Sequence, residues 1–511
     1  MLVQLLEECD DLAREEQRCL TKQRTTSGSV RRGHMPMKRN ANGDTVPIDP
    51  KETIWWSLYI ESPKTDNKQF CRKFRRRFRC KYDKFLELLE MVKQDDHFLM
   101  WTRGSSDCTG KRSSPVELLL LGSLRYLGRG FTFDDCEENT AISEETHRCF
   151  FHVFILFGAS VLFPKFVERP INNTDSLTHQ QEFLEAGMAG CIGSTDATHV
   201  AMLRCPSQLR NFNNGFKLDL PSRTYNLTTN HRRQILSTTT GHPGRWNDKT
   251  LVLFDDFVKS IYNGKILQDV KFSLFEHNAN GEIVQRHYTG AWLIVDNGYL
   301  EWSTTVPPFK NALTYKELRW SKWIESMRKD VECVFGILKG RFRVLKTGVR
   351  LHGLKATDRL WLTCCALHNF LLLSDGLNGE WRNGRGVVSD YQREFGQIRR
   401  EDMQELPPEL QQRSFDLSGM GNGNDVVSAE EMEEESVIID EESEALSETD
   451  ERERTTVRRL SLQKFRERLV EHFDILFKRQ KIKWPSRTGR EPPPSVSIPL
   501  DWEPQADHNS T

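Results

Sequence analysis

The chain has 511 residues, more than one hydrophobic core normally serves, so two or three domains are expected. Its 37% hydrophobic and 28% charged residues describe a globular protein with polar extensions. The net charge of -1 hides a split: Asp425 to Glu453 carries fourteen acids against one Arg, a net of -13, leaving +12 on the rest. A basic body with an acidic tail points to a polyanionic partner for the body. The twelve cysteines include no Cys-x-x-Cys pair, which argues against a zinc module of the usual spacing. Glu7, Glu8, Asp10 and Asp11 come too early for a signal peptide. The longest apolar run, Cys149 to Phe163, contains His152 and is too short to span a bilayer, so no membrane is expected. A reducing compartment, cytosol or nucleus, follows.

Residues 1–50 are polar and read as a disordered extension. From 52 to 165 the pattern is helical. Phe70, Phe74, Phe78, Tyr82 and Phe85 recur at spacings of three and four. Ser114-Pro115 starts a helix with Val116, Leu119, Leu120 and Leu124 on its apolar face. A short helix follows Phe131, and Ser143 offers an N-cap to a third helix through Phe150, Phe151 and Phe154. Short helix, turn and capped helix fit either a helix-turn-helix that binds DNA or a small bundle that only packs on the next domain.

From 188 to 375 the texture changes. Cys191 to Leu203, Arg223 to Thr229 and Gln234 to Thr240 are β-rich and separated by turn residues. Asn247-Asp248 begins a helix to about Tyr262. Asn280-Gly281 signals a hairpin, Ala291 to Val295 a short buried strand, and Ser321 to Lys339 and Asp358 to Leu373 two helices. The expected fold is α/β: an RNase H-like mixed sheet flanked by helices, preceded by the helical domain. Residues 376–456 read as a linker with an acidic disordered segment, 457–484 as a basic helix and 485–511 as a disordered tail.

Three acids stand where a phosphodiester-cutting site would draw them, since hard Mg²⁺ prefers oxygen ligands gathered from separate elements. Asp196 lies inside an apolar strand, where a carboxylate is costly unless paired or metal-bound. Asp296 ends the strand Trp292-Leu-Ile-Val, just before Asn297-Gly298. Glu332 borders the helical stripe Ile324, Met327, Val331, Val334 and Leu338. Asp248 is a rival second acid, although a helix start also suits plain capping.

The stretch Gly190 to Leu373 resembles the DDE nuclease domain of PIF/Harbinger transposases and related plant transposon proteins. The matching pieces are Asp196-Ala-Thr-His199, Asn247-Asp248, Asp296-Asn-Gly-Tyr299, Arg328-x-x-Val-Glu332-x-x-Phe-Gly-x-Leu-Lys339-x-Arg341-Phe342, and Ala366-Leu-His-Asn-Phe370. The resemblance implies that Asp196, Asp296 and Glu332 bind two Mg²⁺ or Mn²⁺ ions and cut and rejoin DNA at transposon ends. It also implies nuclear action, a homo-oligomer on DNA and a Myb-like DNA-binding partner protein. A domesticated relative that binds DNA or protein without cutting is the alternative. Ala197 stands where the family commonly has Gly.

Two basic stretches suit phosphate contact. Arg72 to Lys81 interleaves cations with Phe74 and Phe78, so Arg75, Arg76 and Arg77 are DNA-binding candidates, on a segment that also suits nuclear import or a plain soluble surface. Lys339, Arg341, Arg343 and Lys346 follow the Glu332 helix and are placed to hold the cleaved backbone. Cys364, Cys365 and His368 share one apolar helix and read as core.

Overall fold

The computed structural model describes residues 37–39, 44–103, 113–215, 220–375 and 455–482. The acidic segment, the terminal tail and most of the N-terminal extension lie outside the described residues. Within that extension, Met37–Arg39 and Thr45–Pro47 pair as an antiparallel ladder, so part of the stretch expected to be disordered has structure.

The longer helices among the described residues of the first half are α1 (Lys68–Phe78), α2 (Tyr82–Gln94), α3 (Val116–Arg129), α4 (Phe133–Thr140), α5 (Glu144–Phe157) and α6 (Asn173–Glu185). Their ends follow local chemistry. The Asn67 side chain accepts from the Gln69 and Phe70 N–H groups at the start of α1. Thr132 and Asp135 cap α4 reciprocally, and the Ser143 hydroxyl accepts from the Thr146 N–H in α5. The α4–turn–α5 pair is therefore present, but α5 carries Glu144 and Glu145 in its first turn, where DNA would be repelled. Counting from Cys149 to Phe163 also understates this helix. It continues through a π turn at Gly158–Leu162, and the 23 residues Glu144–Phe166 are long and apolar enough to cross a membrane by length and composition. Here its Phe150, Phe151, Phe154, Ile155 and Phe157 are buried in a protein core.

The main sheet is mixed. Its central strand, β1 (Cys191–Ala201), pairs antiparallel with β2 (Ser222–Thr229), which pairs antiparallel with β3 (Ile235–Thr238). A two-residue strand, His242–Pro243, also joins β2. Two short helices follow, α7 (Asp248–Val252) and α8 (Asp256–Tyr262), where one helix was expected. The break falls at Asp255, whose carboxylate accepts from the Phe257 and Val258 N–H groups and restarts the helix. A hairpin, β4 (Lys271–His277) and β5 (Ile283–Thr289), forms a separate sheet. The chain then returns to β1: β6 (Trp292–Ile294) lies parallel to it, and β7 (Thr305–Val306) parallel to β6. The order is β3-β2-β1-β6-β7.

Helix α9 (Tyr315–Arg341) begins at a Thr314/Glu317 capping box and is longer than its apolar stripe foretold. Helix α10 (Leu354–Ser374) lies against α5, where Gly158 admits it: a Cβ there would fall 2.2 Å from the Thr363 hydroxyl. One core joins Tyr225, Leu227 and Ile235 of the sheet to Val331, Val334 and Leu338 of α9, to α10 and to the N-terminal helices. A second gathers Trp292 to Val295, Trp320, Ile324 and Met327 with the hairpin. The basic C-terminal segment completes it. Strand β8 (Thr455–Thr456) pairs parallel with β5, and α11 (Leu462–Lys478) buries Phe465, Leu469 and Phe473 in this core. That segment is thus built into the sheet region rather than appended to it.

Candidate active site

Asp196 sits in mid-strand on β1, opposite Leu227 of β2 and facing the same side. Its side chain is 18% exposed. One carboxylate oxygen accepts the Ala197 N–H at 2.7 Å, and the other meets the Arg328 guanidinium at 3.2 Å. Burial pushes this carboxyl up to about 6; the Ala197 N–H and Arg328 oppose the shift, and the negative charges of Asp296 and Asp248 add to it.

Asp296 leaves the end of β6, beside β1, and accepts the Gly298 N–H at 2.8 Å. A Cβ at Gly298 would stand 3.0 Å from Asp296 Oδ1 and 3.0 Å from Asp248 Oδ2, so the two carboxylates border one small space. Asp248 does not cap its helix. The cap is Asn247, whose Oδ1 accepts the Thr250 N–H at 2.9 Å. Tyr299 reports the convergence of these acids. Its buried phenol is pushed well above the usual range, by burial first and then by Asp196, Asp248, Asp296 and Asp255. It donates to Asn226 Oδ1, and the Asn226 amide donates to Asp255 Oδ2 at 2.6 Å.

Glu332 lies on α9 with its side chain 48% exposed. Arg328, one turn earlier, pairs with it at 2.8 Å while also holding Asp196. Asp196 and Glu332 therefore share one side of the sheet and one cation. Among the described residues, no group of three or more His, Cys, Asp or Glu side chains is placed to hold a metal ion. The Arg328 guanidinium lies between two of the three expected acids, Asp196 and Glu332. His199 faces the other way, toward the hydroxyls of Thr224 at 3.1 Å and Ser222 at 3.3 Å.

The basic candidates divide. Lys339 is half-buried and donates to the Thr198 hydroxyl at 2.8 Å, two positions along β1 from Asp196 and on the same face. Arg341 is 1% exposed and pairs with Asp375 at 2.7 Å. From there it reaches no DNA backbone, contrary to the sequence expectation, because its place in the last turn of α9 points into the junction with α10. Arg75 shares Asp375 at 3.4 Å, whereas Arg76 and Arg77 are exposed. Cys364, Cys365 and His368 are core residues, with His368 Nε2 bonded to the Arg233 carbonyl at 2.9 Å.

Residues 195–369 match the DDE superfamily endonuclease family. The match begins one residue before Asp196 and contains Asp248, Asp296, Arg328 and Glu332. No curated protein and no solved structure matches the chain. What the DDE endonuclease match supports is a transposase-like nuclease region, in a family that generally uses divalent metals. Sequence reasoning ranked Asp248 behind Asp296 as a second acid and took a cap as its alternative role; Asn247, the residue before it, carried the signal for the true cap. The Arg328–Glu332 spacing was legible, but the pairing of Arg328 with Asp196 across 132 residues was not.

Proposed function

We propose that this protein is a metal-dependent DNA endonuclease of the PIF/Harbinger transposase kind, cutting and joining DNA at transposon ends. The observation that carries the reading is the largely buried Asp196 carboxylate on the central strand, with the Asp296 and Asp248 carboxylates acting on it from the neighbouring strand end and helix start. The strand order β3-β2-β1-β6-β7, antiparallel on one side of β1 and parallel on the other, supports an RNase H-like assignment.

The donor set suits a hard cation: it is all oxygen, and Asp196 carries a burial penalty that a nearby positive charge relieves. Asp196, Asp296 and Glu332 would hold two Mg²⁺ or Mn²⁺ ions, with Asp248 bordering Asp296. Such ions, when bound, activate a water or a DNA 3′-hydroxyl and stabilise the leaving oxygen of an in-line displacement. The chain's own part is to present the carboxylates from three elements, with Asp196 largely withdrawn from bulk water, and to keep space open at Gly298. Lys339 adds a cation beside Asp196 on the phosphate-facing side. Action in the nucleus, as a homo-oligomer on DNA and with a Myb-like partner, belongs to the same proposal.

A second reading, a domesticated DNA- or protein-binding factor, is favoured by one observation: Arg328 occupies the ground between Asp196 and Glu332. Cleavage of transposon-end DNA with Mg²⁺ or Mn²⁺ decides. Asp196→Asn, Asp296→Asn and Glu332→Gln should each abolish cutting while DNA binding persists. Loss with Asp248→Asn and not with Asp296→Asn would reassign the second acid. A wild-type chain that cuts nothing, with partner and element ends supplied, establishes the second reading. If Arg328→Gln then gains cleavage, the arginine is the block.

A further inference from the structure

Among the acid-free stretches of this chain, residues 67–82, 118–133 and 333–357 together hold sixteen Lys and Arg. They lie far apart in sequence and meet in the fold. Arg79 Nε donates to the Gly128 carbonyl at 3.1 Å, and a Cβ at Gly128 would lie 2.4 Å from Arg79 Cγ, so α1 and α3 touch there. Arg125 donates to the Arg77 carbonyl at 3.2 Å, with its guanidinium 4.3 Å from the Phe131 ring centre. At the end of α3, a Cβ on Gly130 would be 3.5 Å from the Thr347 hydroxyl, in the short helix Val344–Thr347 that follows α9. Arg76 and Arg77 of α1, Arg125 and Arg129 of α3, and Arg343 and Lys346 beyond α9 are thereby brought to one junction.

Like charges held this way repel. Arg129 is pulled below its usual range by burial and then by Arg76 and Arg343. Arg125 falls to about 10 through burial and then through Arg129 and Arg77. Asp375, an acid bordering the junction, is already engaged by Arg75 and Arg341. A surface that only needs solubility intersperses acids among such cations. One that concentrates guanidinium groups, with those of Arg76, Arg77 and Arg343 exposed, fits phosphates, whose geometry the planar fork matches.

We propose that these three segments form an arginine seam that grips the phosphate backbone of duplex DNA across the boundary between the helical and nuclease-like regions. The choice of DNA as the polyanion rests on the endonuclease reading. The seam also has a direction. Glu332 to Arg341, the last residue of α9, is nine residues, roughly 13 Å of helical rise, and Arg343 follows just past the helix end. At 3.4 Å per base pair, that sets the gripped phosphates about four base pairs from the carboxylates.

The test is fluorescence anisotropy of a labelled DNA duplex with the full chain, in metal-free buffer over a salt series. The triple variant Arg76→Gln, Arg129→Gln, Arg343→Gln should bind more weakly, and its salt slope should fall by about 0.9 for each lost phosphate contact, up to about 2.7 in all. Lys310→Gln, an exposed cation outside the seam, should match the parent. The corresponding triple Lys variant keeps the charge and should keep most of the slope. An unchanged slope in the Gln triple, or a Lys triple as weak as the Gln triple, overturns the seam. So does an RNA duplex that binds more tightly than DNA with the same seam dependence. Because binding is read without metal, a chain that never cuts DNA still passes or fails on its own terms.

Discussion

At the scale of single residues, the fold holds one charge of the site against its preference. That charge is on Asp196, whose carboxyl is raised from 3.8 to about 6. A group whose folded value is raised in this way weakens the fold when ionised. The penalty is full above pH 6, shrinks as pH falls and vanishes below about 4, where both states hold the proton. Asp196→Asn should therefore stabilise the metal-free protein by about 1–3 kcal/mol at pH 7.5 and by nothing near pH 4. Chemical denaturation at both pH values checks this; a variant less stable than wild type at pH 7.5 would show that the Arg328 pairing outweighs burial. Asp196 and Asp296 stood out in the sequence because one lies within an apolar strand and the other at a strand end, and Glu332 because it borders a helical apolar stripe. Arg341 was misread for a physical reason. A cation in a basic run looks solvated until its partner is known, and Asp375 lies 34 residues on.

At the scale of elements, apolar periodicity located most of the long helices and strands from Lys68 to Ser374, since each needs a stripe or an alternation to join a core, but it passed over α6 and the two-residue strand β7. The C-terminal helix shows where periodicity stops. The spacing of Phe465, Leu469 and Phe473 identified an amphipathic helix but not the surface it covers, which is set by a hairpin almost two hundred residues earlier. Phe275 N–H donates to His472 Nδ1 at 2.9 Å, and Arg319 pairs with Asp474 at 3.0 Å. The ring of Phe465, fully buried, also packs near Trp292 of β6, next to the strand that bears Asp196. Phe465→Ala should cost about 3–5 kcal/mol, as large-to-small changes of buried aromatics do. Loss of less than about 1 kcal/mol in urea unfolding would mean that α11 detaches before the rest of the domain.

At the scale of the whole molecule, the helical and sheet regions share one core from Phe74 to Phe370, so they should unfold together rather than as two domains. Their common weakness is acid. Burial lowers His147 to about 3, His368 to about 4 and His472 to about 4, and keeps all three neutral in the folded state. The unfolded chain takes up protons below 6.5, so stability is complete above that pH and is lost on acidification down to 3–4. Each contributes a loss of about 2 kcal/mol at pH 5, more together than the relief from Asp196. His147→Gln, which can still bond the Thr140 hydroxyl, should flatten the fall in denaturation midpoint between pH 7 and pH 5; an unaltered slope would mean that His147 takes a proton without leaving its place. The return of Thr455 to β5 has a different consequence. Both ends of the interval 376–454 are fastened to the same folded body, so the backbone there can be cut without separating anything. A protease site engineered near Ser414 should yield two polypeptides that co-elute under native conditions and part only in denaturant. Pieces that separate on native gel filtration would show that α11 adheres through its tether alone. The protein is in this respect a ready-made split protein, in which the shorter piece, added from outside, should restore the longer one.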